Sequence, residues 1–254
     1  VYWMDSAPQW SPDGRFLAFT MNGHVHVAPA DGSGLAKKLT DFTDAAYAPV
    51  WMPDSNRLIV GVTRDECANL LLTDRDGSWP RALTTGEDGD DFGAQPSPDG
   101  RFIAYVHRPL NDLNRLDLRL VEVETGQVRT LTGAPKQKSW FPRWSPDGAW
   151  IAFLSQRPSF NEVWLVRADG SGERPLTQLG HDVGEFSWSP DGRTLAATIN
   201  RGGALDLALI SADTGAITDL RTGHGVHARP CWSPDGAYLT IEYEDPITPP
   251  DLYR

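Results

Sequence analysis

Trp144-Ser145-Pro146-Asp147-Gly148, followed at once by the apolar run Trp150-Ile151-Ala152-Phe153-Leu154, is the phrase that decides the fold. The pentapeptide recurs as Trp10-Ser11-Pro12-Asp13-Gly14, Trp51-Met52-Pro53-Asp54-Ser55, Pro96-Ser97-Pro98-Asp99-Gly100, Trp188 to Gly192 and Trp232 to Gly236. Its first positions (10, 51, 96, 144, 188, 232) are separated by 41, 45, 48, 44 and 44 residues. A period of that length in a chain of short strands and turns predicts an all-β protein, a β-propeller with one blade per repeat.

Outward from Trp144 the fourth repeat reads as four strands. Ser139 to Trp144 precedes the turn, Ala149 to Leu154 follows it, Glu162 to Val166 comes third, and Arg174-Pro175-Leu176-Thr177 closes the unit. Proline presets φ in a tight turn, Asp accepts local backbone hydrogen bonds, and Gly supplies positive φ. Asp-Gly at 31–32, 76–77 and 169–170, with Thr125-Gly126 and Thr214-Gly215, predicts the turns between third and fourth strands. Leu-Thr pairs at 39–40, 83–84, 131–132 and 176–177 mark fourth strands. The second strand is the least polar, as expected where both faces pack. Trp10, Trp51, Trp144, Trp188 and Trp232 are expected in the core between blades.

One domain, 1–254, is expected, with blades near 1–42, 43–86, 87–134, 135–179, 180–223 and 224–254. The last blade is incomplete, because only Asp251-Leu252-Tyr253-Arg254 follows its second strand as a third. The chain is therefore expected to be a piece of a longer protein, with a seven-bladed propeller as one form and self-association through the unfinished blade as a consequence. It has no initiator Met and no visible signal peptide.

The Trp-Ser-Pro-Asp-Gly repeats resemble the WD40-like propeller repeats of two families, TolB and the prolyl oligopeptidase family of serine peptidases. The stretch Tyr243-Glu244-Asp245-Pro246-Ile247-Thr248-Pro249-Pro250-Asp251-Leu252-Tyr253 resembles the last propeller blade of acylaminoacyl-peptidase-like enzymes. That resemblance implies a non-catalytic propeller that gates short peptides into an α/β-hydrolase domain lying C-terminal of this chain. A TolB-like protein-interaction propeller is the alternative, and a metal-dependent lyase a weaker one.

No Gly-x-Ser-x-Gly elbow occurs, so no catalytic residue is assigned. His24 and His26 alternate on a strand while His224 and His227 flank Gly225-Val226, and they are read as polar histidines without a metal. Gly86-Glu87-Asp88-Gly89-Asp90-Asp91 is read as a solvated acidic loop rather than a calcium site. No cofactor is expected. The net charge of −11 argues against nucleic acid, no run suggests a membrane span, and Cys67 and Cys231 give no disulfide framework. The cytoplasm is the expected compartment, or the periplasm for a TolB-like protein.

In a four-stranded blade the irregular connections, from fourth strand to next first and from second to third, emerge on one face. Function is expected on those loops. The candidate substrate or domain contacts there are Arg108, Arg157, Phe160, Asn161, Trp140, His224, His227, Arg229 and Glu244. Arg108 and Arg157 are chosen because a guanidinium after a second strand can pair with a carboxylate of a peptide or partner domain.

Overall fold

A computed structural model of the chain describes residues 8–40, 45–64, 66–86, 88–157, 159–221 and 225–254. They form 23 strands and, among the described residues, no helix. The strands fall into two compact units, Val1–Lys136 and Gln137–Arg254.

The first unit holds three four-stranded antiparallel sheets. They are β1(Gln9–Trp10), β2(Phe16–Met21), β3(His24–Pro29) and β4(Lys37–Lys38); then β5(Ala46–Trp51), β6(Arg57–Arg64), β7(Cys67–Asp74) and β8(Arg81–Ala82); then β9(Gly89–Pro96), β10(Phe102–Pro109), β11(Asp117–Glu122) and β12(Val128–Thr132). Each is a meander of neighbours in chain order, the blade of a propeller. The second unit has β13(Ser139–Trp144), β14(Trp150–Gln156), β15(Asn161–Arg167) and β16(Arg174–Pro175), and then β17(Val183–Trp188), β18(Thr194–Arg201), β19(Ala204–Ser211) and β20(Ile217–Arg221). Its sixth set has three strands, β21(Val226–Trp232), β22(Leu239–Asp245) and β23(Thr248–Tyr253). A single parallel pairing, Leu205 with Val226, joins the fifth and sixth sets into one seven-stranded sheet.

The repeated pentapeptide builds the same turn each time. In the fourth blade the Ser145 hydroxyl donates to Asp147 Oδ1 at 2.6 Å and accepts the Trp150 N–H at 2.9 Å. Asp147 also accepts the Ala149 N–H at 3.0 Å, and Gly148 takes φ +70°. The Ser145 hydroxyl first, then the Ala149 amide, hold the Asp147 carboxyl below its ordinary pKa. Asp13, Asp99, Asp191 and Asp235 have the same serine partner and the same shift. The second blade departs because Met52 replaces serine and is fully buried. There Asp54 is held by the amides of Asn56 and Arg57, and Ser55 stands at φ +56° in place of glycine.

The Leu-Thr pairs lie just beyond the two-residue fourth strands, and inside β12 in the third blade. Their threonines are sheet caps: Thr40, Thr84, Thr132 and Thr177 each accept a buried backbone N–H from the third strand, at 2.9–3.1 Å. The second strands of blades two to five are buried on both faces, whereas β22 is half-exposed. Trp51 is buried and its indole N–H donates to Gln9 O at 3.0 Å in the preceding blade, and Trp188 donates likewise to Arg143 O at 3.1 Å. Trp10 corrects the sequence expectation, being 61% exposed.

Candidate functional site

At the end of blades two to six opposite the repeated turn, the first and second strands pair through a residue five positions before the Trp or Pro of the repeat. The pairs are Ala46 with Val62, Asp91 with His107, Ser139 with Ser155, Val183 with Ile199, and His227 with Tyr243. The five first-strand members are all buried. Two blades fill this slot with apolar pairs and three with polar ones.

The third blade carries the most charged slot. Asp91 and His107 are 3% and 1% exposed, and His107 Nδ1–H donates to Asp91 Oδ1 at 2.8 Å. His107 Nε2 is buried without a hydrogen-bond partner, and its nearest charge is Asp88 Oδ2 at 3.6 Å. Asp90 pairs with Arg108, whose Nε stands 3.1 Å from Oδ2, and also accepts the Ala68 N–H of the preceding blade at 2.9 Å. Gly89 permits this approach, because a Cβ there would stand 2.3 Å from Arg108 O and 2.7 Å from His107 Cε1. Burial, and next the Asp91 charge, push the Tyr105 phenol up. The solvated acidic loop expected at 86–91 is corrected in part: Asp90 and Asp91 join the sheet against arginine and histidine, Asp88 stays outside with its side chain 70% exposed, and Glu87 lies outside the described residues. An Asp–His pair is two parts of a hydrolytic triad, but no hydroxyl or thiol among the described residues lies within hydrogen-bond reach of Nε2.

In the fourth blade Arg157 closes the slot. It donates to Ser155 Oγ at 2.8 Å and Ser139 Oγ at 3.1 Å, pairs with Glu173 at 2.8 Å, and lies over the Trp164 ring at 4.4 Å. Its side chain is 15% exposed, so the guanidinium expected to meet a peptide is instead consumed inside its own blade. Trp140 is half-buried against the core of its unit. Phe160 is 43% exposed beside Asn161, whose N–H donates to Asp182 at 2.8 Å.

In the sixth set His227 is buried, with Nδ1–H donating to Leu205 O at 2.6 Å and its ring 4.9 Å from that of Tyr243. The Tyr243 hydroxyl donates to Asp245 at 3.0 Å, which raises its pKa. Arg229 pairs with Glu242 at 3.3 Å, and Glu244 is exposed opposite Val226. His224 lies outside the described residues.

Several candidates expected on loops lie on strands: Arg108 on β10, Asn161 on β15, Trp140 on β13, His227 and Arg229 on β21, Glu244 on β22. The strands run further because cross-strand pairs continue past the apolar core. Arg108 belongs to the first unit and the other described candidates to the second. Hydrogen bonds and ion pairs bring together Arg108 with Asp90, Arg157 with the two serines, and Arg229 with Glu242, rather than joining the candidates to one another. Sequence reasoning missed His107, which its offset from Asp91 across the Ser-Pro-Asp-Gly turn marks in retrospect. Among the described residues no group of three or more His, Cys, Asp or Glu is placed to hold a metal. His26 Nδ1 lies 3.1 Å from the His24 carbonyl of its own strand. No helix among the described residues is long and apolar enough to cross a membrane. An open cavity of about 460 Å³ in the first unit is lined by Val62, Arg64, Cys67, Asn69, Thr84 and Leu110.

Residues 2–189 match the family profile PD40, TolB beta propeller domain. The chain is 27% identical over 187 residues to the uncharacterized protein Atu1656 of Agrobacterium fabrum, covering 69% of this chain and 59% of that one. It is 30% identical over 157 residues to the uncharacterized peptidase YuxL of Bacillus subtilis, covering 58% of this chain and 21% of that one. The match thus spans less than two thirds of either relative. A puromycin-hydrolyzing peptidase of Mycobacterium tuberculosis superposes on 97% of this chain and 42% of its own, with a TM-score of 0.81 at 18% identity. An oligogalacturonate lyase in complex with manganese gives 0.76 at 18% identity, over 96% of this chain and 71% of that one, so the shared fold does not select a chemistry.

Proposed function

The chain belongs to the TolB β-propeller domain family, and from that premise we propose that it is the non-catalytic propeller of a prolyl-oligopeptidase-type serine peptidase, nearest the acylaminoacyl-peptidase branch. In this reading it admits short peptides to an α/β-hydrolase domain of the same polypeptide, in the cytoplasm. The observation that carries the proposal is the superposition of 97% of this chain on 42% of a puromycin-hydrolyzing peptidase. A propeller-length piece of a longer peptidase would give such a ratio, which supports the reading. The identity to YuxL supports the same reading. The slot residues then serve as a rigid frame, because His107 donates to Asp91 and Arg157 to the two serines of its own blade, and peptide contacts fall to exposed neighbours such as Phe160 and Glu244.

The test is made on the native polypeptide, captured with an antibody to this chain and treated with a fluorophosphonate probe. Labelling of a species hundreds of residues longer supports the proposal. An unlabelled species of about this size overturns it and favours the alternative, a TolB-like interaction propeller.

A further inference from the structure

Arg143 differs from the other buried cations of the chain. It lies on β13, an edge strand of its blade, beyond a register shift between Trp140 and Arg143. Phe141, inside that irregularity, takes φ +59°, and such a bulge re-aims the side chains around it. The Arg143 guanidinium lies 3.7 Å from the centroid of the Phe141 ring, which meets the Phe186 ring edge-on at 5.4 Å. One terminal nitrogen donates to Pro142 O at 2.9 Å. Unlike Arg108, Arg157 and Arg229, Arg143 has no carboxylate within ion-pair distance among the described residues. Burial pushes its pKa down to about 10 against the attraction of Glu185, so it stays charged at neutral pH. A half-buried guanidinium over a ring, with Nε and one terminal nitrogen without a hydrogen-bond partner among the described residues, offers the planar fork that a carboxylate fits.

The next blade repeats the position. Ser187 precedes Trp188 as Arg143 precedes Trp144, and the two strands touch through the Trp188 indole and Arg143 O. The Ser187 hydroxyl is buried without a hydrogen-bond partner. The Ser187 hydroxyl is thus an unpaired buried polar group, of a kind that is costly and uncommon, on the edge strand next to the one that carries Arg143. A single fork with Glu185 nearby suits a monoanion better than a phosphate, which would bring a second charge against that carboxylate.

We infer that Arg143, stacked on Phe141 and flanked by Ser187, is the anchor of a carboxylate-binding site for peptides on the first strands of the fourth and fifth blades. Peptide as the ligand rests on the function proposed above; the carboxylate chemistry stands on the geometry alone. The carboxylate has two sources, a chain terminus or an acidic side chain.

The test follows the Arg143 Nε–H resonance of the full chain, with calorimetry for affinity, using three acetylated probes. These are trialanine with a free terminus, its C-terminal amide, and Ala-Asp-Ala amide. Saturable shifts with either carboxylate probe, absent with trialanine amide, are expected, and the stronger of the two names the source. Arg143→Gln is expected to weaken binding at least tenfold, Arg143→Lys several-fold because the fork is lost, and Arg193→Gln not at all. Equal binding of trialanine amide, or undiminished binding by both Arg143 variants, overturns the inference. Arg143→Lys keeps the test open if the glutamine variant fails to fold. Binding without fluorophosphonate labelling would leave this site standing and remove the peptidase reading; labelling without binding would do the reverse.

Discussion

The two ends of every blade are built from the same strands, yet one end is copied and the other is rewritten. At the Ser-Pro-Asp-Gly end, five blades repeat one hydrogen-bond pattern to within a few tenths of an ångström. At the opposite end the buried slot holds Ala46–Val62 in one blade, Asp91–His107 in the next and Ser139–Ser155 in the third of the row. The turn is fixed by partners two to five residues apart, so each copy folds alike wherever it stands. The slot takes its partner from across the sheet and its surroundings from the next blade, so each copy can drift toward a separate purpose.

The largest expected effect tests the slot. His107→Ala leaves Asp91 buried without its partner and should cost about 3–5 kcal/mol in urea unfolding. Joining Asp91→Ala to His107→Val copies the Ala46–Val62 slot and should return stability to within about 2 kcal/mol of the parent, since replacing both partners removes the unsatisfied group. A double variant no better than the single one would mean that the slots are not interchangeable.

Met52→Ser comes next. It gives the second blade the common turn sequence but deletes a fully buried side chain from the core around Ile59, Ile103 and Tyr105, so a loss of about 2–4 kcal/mol is expected. A gain would show that turn chemistry outweighs packing there. Ser145→Ala and Ser189→Ala should each cost about 1 kcal/mol. Unequal losses would break the claim that the turns are equivalent.

The smallest effect concerns acid. The turn carboxylates have folded-state pKa values below their unfolded ones. Their stabilisation is therefore present above the ordinary carboxylate range near about pH 4 and is lost as pH falls through the lower folded values. Melting temperature should drop on acidification through that window, and Asp147→Asn should flatten the drop slightly. An unchanged slope would assign acid sensitivity to other groups.

Strand order within the blades and the turns were legible because the repeat encodes them locally. Trp51 and Trp188 were readable as packing for the same reason, while Trp10, 61% exposed, was not. Arg157 was legible as a guanidinium after a second strand, but its partners Ser139, Ser155 and Glu173 were not.

The sequence by itself determined the all-β repeat, its period and its turns, because proline, aspartate, glycine and serine act on backbone only a few residues away. Only the tertiary structure decided that Asp91 meets His107, that Arg157 is spent within its blade and that Arg143 has no carboxylate within ion-pair distance among the described residues. Each of those outcomes depends on which side chains neighbouring strands bring near, and a one-dimensional spacing does not carry that distance.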